Sequence, residues 1–555
     1  MTTPSAAPPT RPVVLGAAEL TRCRHRIFKQ STAPVDLPMP ELATGVKQRQ
    51  DAAREHRAQI GETLRRQHPG SWVDASRPER DGPRHRSRRE ITEDAMLDGV
   101  DRIWQAAFVT QADTGRRGHA ELLIRDAENG GYIPVLVVNH KVTDPGSGAV
   151  TSTVDKWAPA VDERRKVRSQ ARDQVRLAHL TRMLENLGMA TPAQVGGTIG
   201  YDADCMLTYE LGGENGILAS YDGRWADRQG VAQGLIETVP ARISECSTCP
   251  WWADLGPVRG CSEVLREMRD VSLVVRGEQA VRLREMGIGT IDQLAAWDGP
   301  EPEEWRGNGF ADAIIGAQAW LADVLLVRRH DEVAVPRADV EVDVDMESYQ
   351  EFGAYLWGTF TTSDGVDAGY RPFVTWDPLP TEDEARSFAE FWTWLMRMLE
   401  DTVGRGRTFA AYCYSQNAEN KWLLGSARRF EGRPGIPPLR EVQDFIESEH
   451  WVDVFQYVGE HFVSPHGKGL KVLARYAGFD WRDAEASGEA SMTWYRAAVG
   501  YDGPVDDTQR ARLLEYNEDD VRATKILREW MSEVATGAVL SVADLRERQF
   551  GPGSV

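Results

Sequence analysis

Hydrophobic and polar positions change their period several times along the chain. At 118–126 and 132–141 apolar residues fall in short blocks, which predicts two strands joined by the turn Asn129-Gly130-Gly131. A helix is predicted over about 161–187, ending at a Gly188 cap. Residues 266–335 keep helical spacing, broken by tight glycine turns. After Pro336, Val340, Val342, Val344 and Met346 alternate strictly with acidic residues, the mark of a strand with one apolar face. Further strands are predicted at 355–362, 373–376 and 408–414. Between them 382–402 reads as an amphipathic helix carrying Phe388, Phe391, Leu395, Met398 and Leu399 on one side. Strands followed by alternating helices and strands are an α/β signature.

Length changes this picture first. A single core stops growing near about 250–300 residues, so a chain of 555 implies at least two domains. The periods divide it into 1–265, 266–335 and 336–555. No apolar run is long enough for a membrane helix, and the polar, proline-rich start has no secretory core, so a cytoplasmic, membrane-free protein is expected. Net charge is −20, unevenly spread: 1–90 hold 17 Lys/Arg against 10 Asp/Glu, whereas 331–555 hold 23 against 40. The acidic end argues against coating nucleic acid by charge alone. It leaves room for a carboxylate-built metal site, whose charge the metals neutralise.

The acids in that region form a pattern. Asp345 and Glu347 lie two apart on the predicted strand and share a face with Asp343. Tyr516 and Asp520 lie four apart on a predicted helix reaching Trp530 and stack on one side. Between them Tyr412 to Glu419 reads as a strand running into a helix, with the carboxylate near the junction. Each feature alone is common. Together they bring carboxylates from separate elements, as a two-Mg²⁺ (or Mn²⁺) site requires.

On these residues, 336–535 resemble the RNase H-like 3′–5′ exonuclease superfamily of DEDD type, in its YprB-like branch. The resemblance implies that Asp345, Glu347 and Asp520 hold one metal and that Asp345 bridges to a second, with Glu419 reaching that second metal directly or through water. Tyr516, in the Tyr-x-x-x-Asp form of the DEDDy subclass, would orient the attacking water. Asp453 stands where the branch places a further acid, and Lys471, in Gly469-Leu470-Lys471, would hold a phosphate.

Six cysteines are too few for a disulfide scaffold in a chain of this size. Cys205 and Cys413 read as small buried hydrophobes. Cys246 and Cys249 form a CxxC, with Cys261 shortly after and Cys23 far upstream. This split spacing resembles the clamp of RecB-family nucleases, which implies a [4Fe–4S] cluster on Cys23, Cys246, Cys249 and Cys261; Zn²⁺ suits the same four thiolates. A RecB-like PD-(D/E)xK-type α/β domain would offer a second site from Glu121, Gln174 and His140 or Lys141, but Leu136-Val137-Val138 stands where its (D/E)xK pair belongs. The basic stretch Arg84 to Arg89 is a candidate phosphate contact. In 266–335, Leu283 to Leu294 resembles a helix-hairpin-helix, and its apolar spacing fits plain helix packing equally well.

Most of the chain resembles a bacterial family of RecB-like nucleases joined to a YprB-type RNase H-like (DEDDy) half. The expected fold is multidomain α/β, and the expected activity a 3′–5′ exonuclease on single-stranded ends, DNA before RNA, in the C-terminal domain. The alternatives are a double nuclease and a non-catalytic nucleic-acid adaptor. With no Walker-type sequence in the chain, unwinding would fall to a partner, a helicase or another repair factor.

Overall fold

Gly130 and Gly131 both take positive φ, 80° and 76°, and the segments on either side pair antiparallel. The computed structural model describes residues 13–42, 44–76, 86–303, 305, 309–485 and 487–550; of the basic stretch, Arg84 and His85 lie outside them. The chain divides into two units, Met1–Val264 and Leu265–Val555.

The first unit is built on β1 (Trp72–Asp74), β2 (Arg102–Ala107), β3 (His119–Arg125), β4 (Tyr132–Val137), β5 (Ala149–Thr153), β6 (Lys156–Asp162), β7 (Val195–Ile199) and β8 (Met206–Glu210). They form one sheet in the order β1-β2-β3-β4-β7-β8-β5-β6. β2, β3 and β4 make an antiparallel meander, and β7 returns parallel to β4. Helix α1 (Thr44–Gln67) precedes the sheet, and α2 (Ala171–Asn186) connects toward β7. The helix expected from 161 begins only at Ala171. Val161 lies in β6, which is solvated on both faces and leaves this valine 63% exposed. Its apolar residues therefore mimic the stripe of the helix that follows. The C-terminal boundary falls as expected, with Gly188 at φ 69° just beyond α2.

In the second unit β9 (Val340–Tyr349), β10 (Gly353–Ser363) and β11 (Val366–Val374) form an antiparallel meander. β12 (Phe409–Cys413) and β13 (Trp451–Asp453) extend it in parallel, giving the order β11-β10-β9-β12-β13. Helix α3 (Asp383–Gly404) covers one face: Phe388, Phe391 and Leu395 are fully buried, and Phe391 stacks on Trp357 of β10 at 4.8 Å. Helix α4 (Asn417–Arg429) follows β12, and α5 (Asp507–Glu533) packs on β9 and β10.

β9 is buried on both sides because its acids have a partner. Arg528 of α5, fully buried, donates to both oxygens of Asp343 at 2.9 Å and to Glu341 at 2.7 Å. Tyr412 donates to Glu341 at 3.1 Å, and the Arg528 guanidinium lies over its ring. Asp343 is thus tied up in an ion pair and is not a candidate ligand.

The hairpin of the second unit runs from Glu278–Glu285 to Ile291–Ala295, turning at Gly287 with φ 84°. Leu283, Ile288, Ile291 and Leu294 are all buried. The N–H groups of Gly289 and Thr290 donate to Gln293 Oε1 at 2.8 and 3.0 Å. These amides are engaged within the hairpin, so the packing reading fits it better than phosphate binding.

Candidate metal centre

The extended backbone of β9 puts Asp345 and Glu347 on the face that meets α5, where Tyr516 and Asp520 lie one turn apart. One carboxylate oxygen each from Asp345, Glu347 and Asp520 lie within 4.8 Å of one another. Each acid is held by a neutral donor. Asn517 Nδ2 donates to Asp345 at 2.7 Å, Trp481 Nε1 to Asp520 at 2.7 Å, and Ser491 Oγ to Glu347 at 3.3 Å. Tyr370 fixes Asn517 by donating to its Oδ1 at 2.8 Å. A Cβ at Gly358, opposite Asp345 in the register, would come within 1.6 Å of that Oδ1, so α5 approaches the sheet through a position with no side chain. Asn517, Trp481 and Ser491 were not anticipated. Asn517 stands three residues before Asp520 on the same helical face, so its signal was present; the other two come from distant segments.

Glu419 lies in the first turn of α4, buried, with Oε2 lacking any hydrogen-bond partner. It acts on Asp345 through its charge but is not part of the three-acid cluster. Asp453 has another task. It accepts from the N–H groups of Ser415 at 2.9 Å, Gln416 at 3.3 Å and Phe455 at 3.0 Å. It caps one helix and clamps the β12–α4 junction, where Ser415 takes φ 69°, and so positions Glu419. Lys471 Nζ lies 3.5 Å from the Tyr516 hydroxyl and over its ring.

Burial and mutual repulsion raise the acids. Asp345 is pushed well above the usual range by burial and then by Asp520, Glu347 and Glu419. Burial, then Asp520, pushes Glu347 up to about 8; burial, then Asp453, pushes Glu419 up to about 8. Asp520 is raised by burial. From about pH 4.5, the ordinary glutamate value, to about 8, the folded chain holds protons that the unfolded chain has released. Stability of the metal-free protein should therefore fall as pH rises through that window. A divalent cation removes the repulsion. Thermal unfolding in chelator should show a lower Tm at pH 8 than at pH 5.5, and Mn²⁺ should raise it more at pH 8. A Tm independent of pH and metal would contradict this electrostatic picture.

One comparison bears on what such a site does. Residues 430–532 match the model of the RNase H superfamily. The second unit contains an RNase H-like domain. The match includes Asp453, Lys471, Tyr516 and Asp520 and stops short of Asp345, Glu347 and Glu419, which the fold supplies from the preceding strand and helix. RNase H-like domains commonly belong to divalent-metal nucleases that hydrolyse phosphodiester bonds, so the match suggests a nuclease-type function, which implies nucleic-acid binding. Searches of curated proteins and of solved structures return no match. No helix among the described residues is long and apolar enough to cross a membrane.

In the first unit Cys23, Cys246, Cys249 and Cys261 line one cavity with His25, Trp251 and Trp252. Glu245 ties the distant pieces together, accepting from the Cys23 N–H at 2.8 Å and from Arg26 at 2.6 Å. Burial raises the thiols of Cys246, Cys249 and Cys261, the last to about 11, and the other three cysteines act on Cys261. Three of the residues expected to form a second nuclease site have other partners. Glu121 pairs with Arg176 at 2.8 Å, His140 Nε2 with Asp173 at 2.8 Å, and Lys141 with Asp202 at 3.6 Å. Lys141 follows the end of β4 and is drawn to a different loop. Gln174 is half-buried in the first turn of α2. Glu121 Oε2 and Asp173 Oδ1 are buried without hydrogen-bond partners.

Proposed function

We propose that the second unit is a divalent-metal-dependent 3′–5′ exonuclease acting on single-stranded ends, DNA before RNA. The observation that carries this reading is the convergence of Asp345, Glu347 and Asp520 from a strand and a helix onto one point. These residues fit a pair of Mg²⁺ or Mn²⁺ ions: all are oxygen donors, they repel one another strongly, and the nearby Glu419 has a buried oxygen with no partner. Asp345, Glu347 and Asp520 would hold one ion, with Asp345 and Glu419 serving the second. Bound there, the ions would neutralise charge on the attacking and leaving oxygens and lower the pKa of the attacking water. The chain does the rest. Burial and the nearby acids keep Tyr516 protonated, so its hydroxyl can orient a water. Lys471 beside it offers a cation to the phosphate under attack, and Asn517, Trp481 and Ser491 keep the acids aimed. Asp453 acts as a positioning residue.

The test is hydrolysis of end-labelled single-stranded DNA and RNA with Mg²⁺ or Mn²⁺. A 5′-labelled strand should shorten stepwise, and a 3′-labelled strand should release its label first. No hydrolysis of either with either metal would sink the reading; internal cuts or loss from the 5′ end would overturn its direction. Tyr516→Phe should lower kcat by about 10²-fold while leaving the Mn²⁺-induced rise in Tm intact.

For the first unit we propose a RecB-like fold that handles nucleic acid without cutting it. The meander β2-β3-β4 with β7 returning parallel beside β4 supports the fold, and the diverted Glu121, His140 and Lys141 support the loss of cleavage. The four cysteines lining one cavity support a [4Fe–4S] cluster on four thiolates, with Zn²⁺ the alternative. Iron and zinc per chain, measured on anaerobically purified protein, decide between them. Cys249→Ser should lose the bound metal and lower Tm; neither metal present would remove the assignment. A cytoplasmic protein supplied with single strands by a helicase or repair factor is the setting this reading implies.

A further inference from the structure

The first unit holds a cavity of about 660 Å³ that the cleavage chemistry leaves unused. One wall is a single face of α1: Val46, Arg49, Gln50, Ala53, Arg54 and Arg57 follow the three- and four-residue spacing of one helical stripe. The floor is the end of β4, Val137 to His140, and the far wall is the first turns of α2, with Arg172, Asp173 and Arg176. Five arginines thus face one space beside a single lining acid. That acid, Asp173, is fully buried, with one oxygen held by His140 and the other without a partner. Arg176 is engaged by Glu121 and Arg54 by Asp51. Among the described residues no carboxylate pairs with Arg49, Arg57 or Arg172. The cavity also opens at the N-terminal end of the 16-residue α2, whose dipole adds positive potential.

We propose that this cavity is a cradle for the phosphodiester backbone of single-stranded nucleic acid, held by Arg49, Arg57 and Arg172. Guanidinium groups match phosphate oxygens with forked N–H pairs. Asp173 aside, the rest of the lining is aliphatic or amide apart from His140, whose ring is tied to Asp173, and it offers no Phe, Tyr or Trp to stack a base. Binding is therefore to backbone charge and is indifferent to sequence. Arg176 carries its own counter-charge in Glu121, and Val137 and Val138 add no acid to the floor, so the three remaining arginines give the space an anion-seeking character. The choice of nucleic acid as ligand rests on the nuclease reading of the second unit; the cradle itself does not depend on that unit's activity.

The experiment is fluorescence anisotropy with a labelled single-stranded oligonucleotide, on the full chain, in chelator, across a salt series. Arg57→Gln/Arg172→Gln should weaken binding roughly tenfold and flatten the log–log salt slope by about 1.4, the amount for two single-strand phosphate contacts. Arg57→Lys/Arg172→Lys, which keeps the charge, should stay within a few-fold of the parent. Unchanged affinity and slope in the Gln pair would overturn the proposal. So would equal loss in the Lys pair, because a cradle that holds backbone charge keeps most of its affinity when the charge is kept. Binding that needs Mg²⁺ and is abolished by Glu121→Gln would replace the cradle with a metal centre. Strand binding competed equally well by inorganic phosphate and by a strand of the same charge would reduce the site to a free-anion pocket. Hydrolysis of a small phosphodiester, bis(4-nitrophenyl) phosphate, is followed in parallel. If the Gln pair retains it while losing strand binding, the cradle and the nuclease are separate; if no form hydrolyses it yet binding follows the arginines, the nuclease reading fails and the cradle stands.

Discussion

An Asp345→Asn protein should fold, bind single strands, and lose metal-dependent hydrolysis by on the order of 10³- to 10⁴-fold, the scale of several kcal/mol of transition-state charge stabilisation. Asp345 is central to the cluster: it feels Asp520, Glu347 and Glu419 together. Asn keeps its shape but supplies neither the charge nor the shared oxygen. The same change removes a buried charge from a repelling group. In chelator at pH 8 its Tm should therefore exceed that of the parent by on the order of 5 °C, and the rise on adding Mn²⁺ should largely vanish. Opposite signs for activity and stability mark a site whose acids are held together against their own repulsion. If Asp345→Asn cleaves like the parent, the chemistry lies elsewhere in the chain.

The second large effect concerns folding. Arg528→Met should destabilise the second unit by about 3–5 kcal/mol, because it leaves Asp343 buried without a cation and Glu341 with Arg337 alone. Glu341 is now held down to about 2 by Arg337 and Arg528 against the cost of burial. Without Arg528, Asp343 should take up a proton while Glu341 keeps Arg337, so the loss should shrink on acidification from pH 8 to 5. Adding Glu341→Gln and Asp343→Asn to Arg528→Met should recover much of it. A Tm for Arg528→Met within 2 °C of the parent, by about the scale expected for a unit of this size, would show that the network contributes little.

These two predictions mark how far the sequence could be read. Alternation placed Asp345 and Glu347 on one face, and a spacing of four placed Tyr516 beside Asp520, because both rules are local. The same alternation grouped Asp343 with them and could not reveal that an arginine 185 residues away claims it. The sequence reads Asp453 as a further acid of the site, but its hydrogen bonds to three backbone N–H groups depend on a junction that only the folded sheet creates. Val161 was taken into a helix because an exposed strand leaves apolar residues where nothing local distinguishes them. Lys141 followed the right strand and was carried off by Asp202, a contact set by loop geometry.

The cysteine cavity draws on both extremes of the first unit, one wall coming from Cys23 and the others from residues 240–261. During synthesis its first sulfur leaves the ribosome long before its last. At about 5–20 residues per second the interval is roughly 12 to 48 s. For all but the last 16 residues of that interval the Glu245 carboxylate that will hold the Cys23 backbone does not yet exist, nor do Cys246 and Cys249. The cavity can form only when the strands between are made, so its completion reports that the first unit has been synthesised to its end. A chain stopped short of Cys261 would carry the sheet but not the lock.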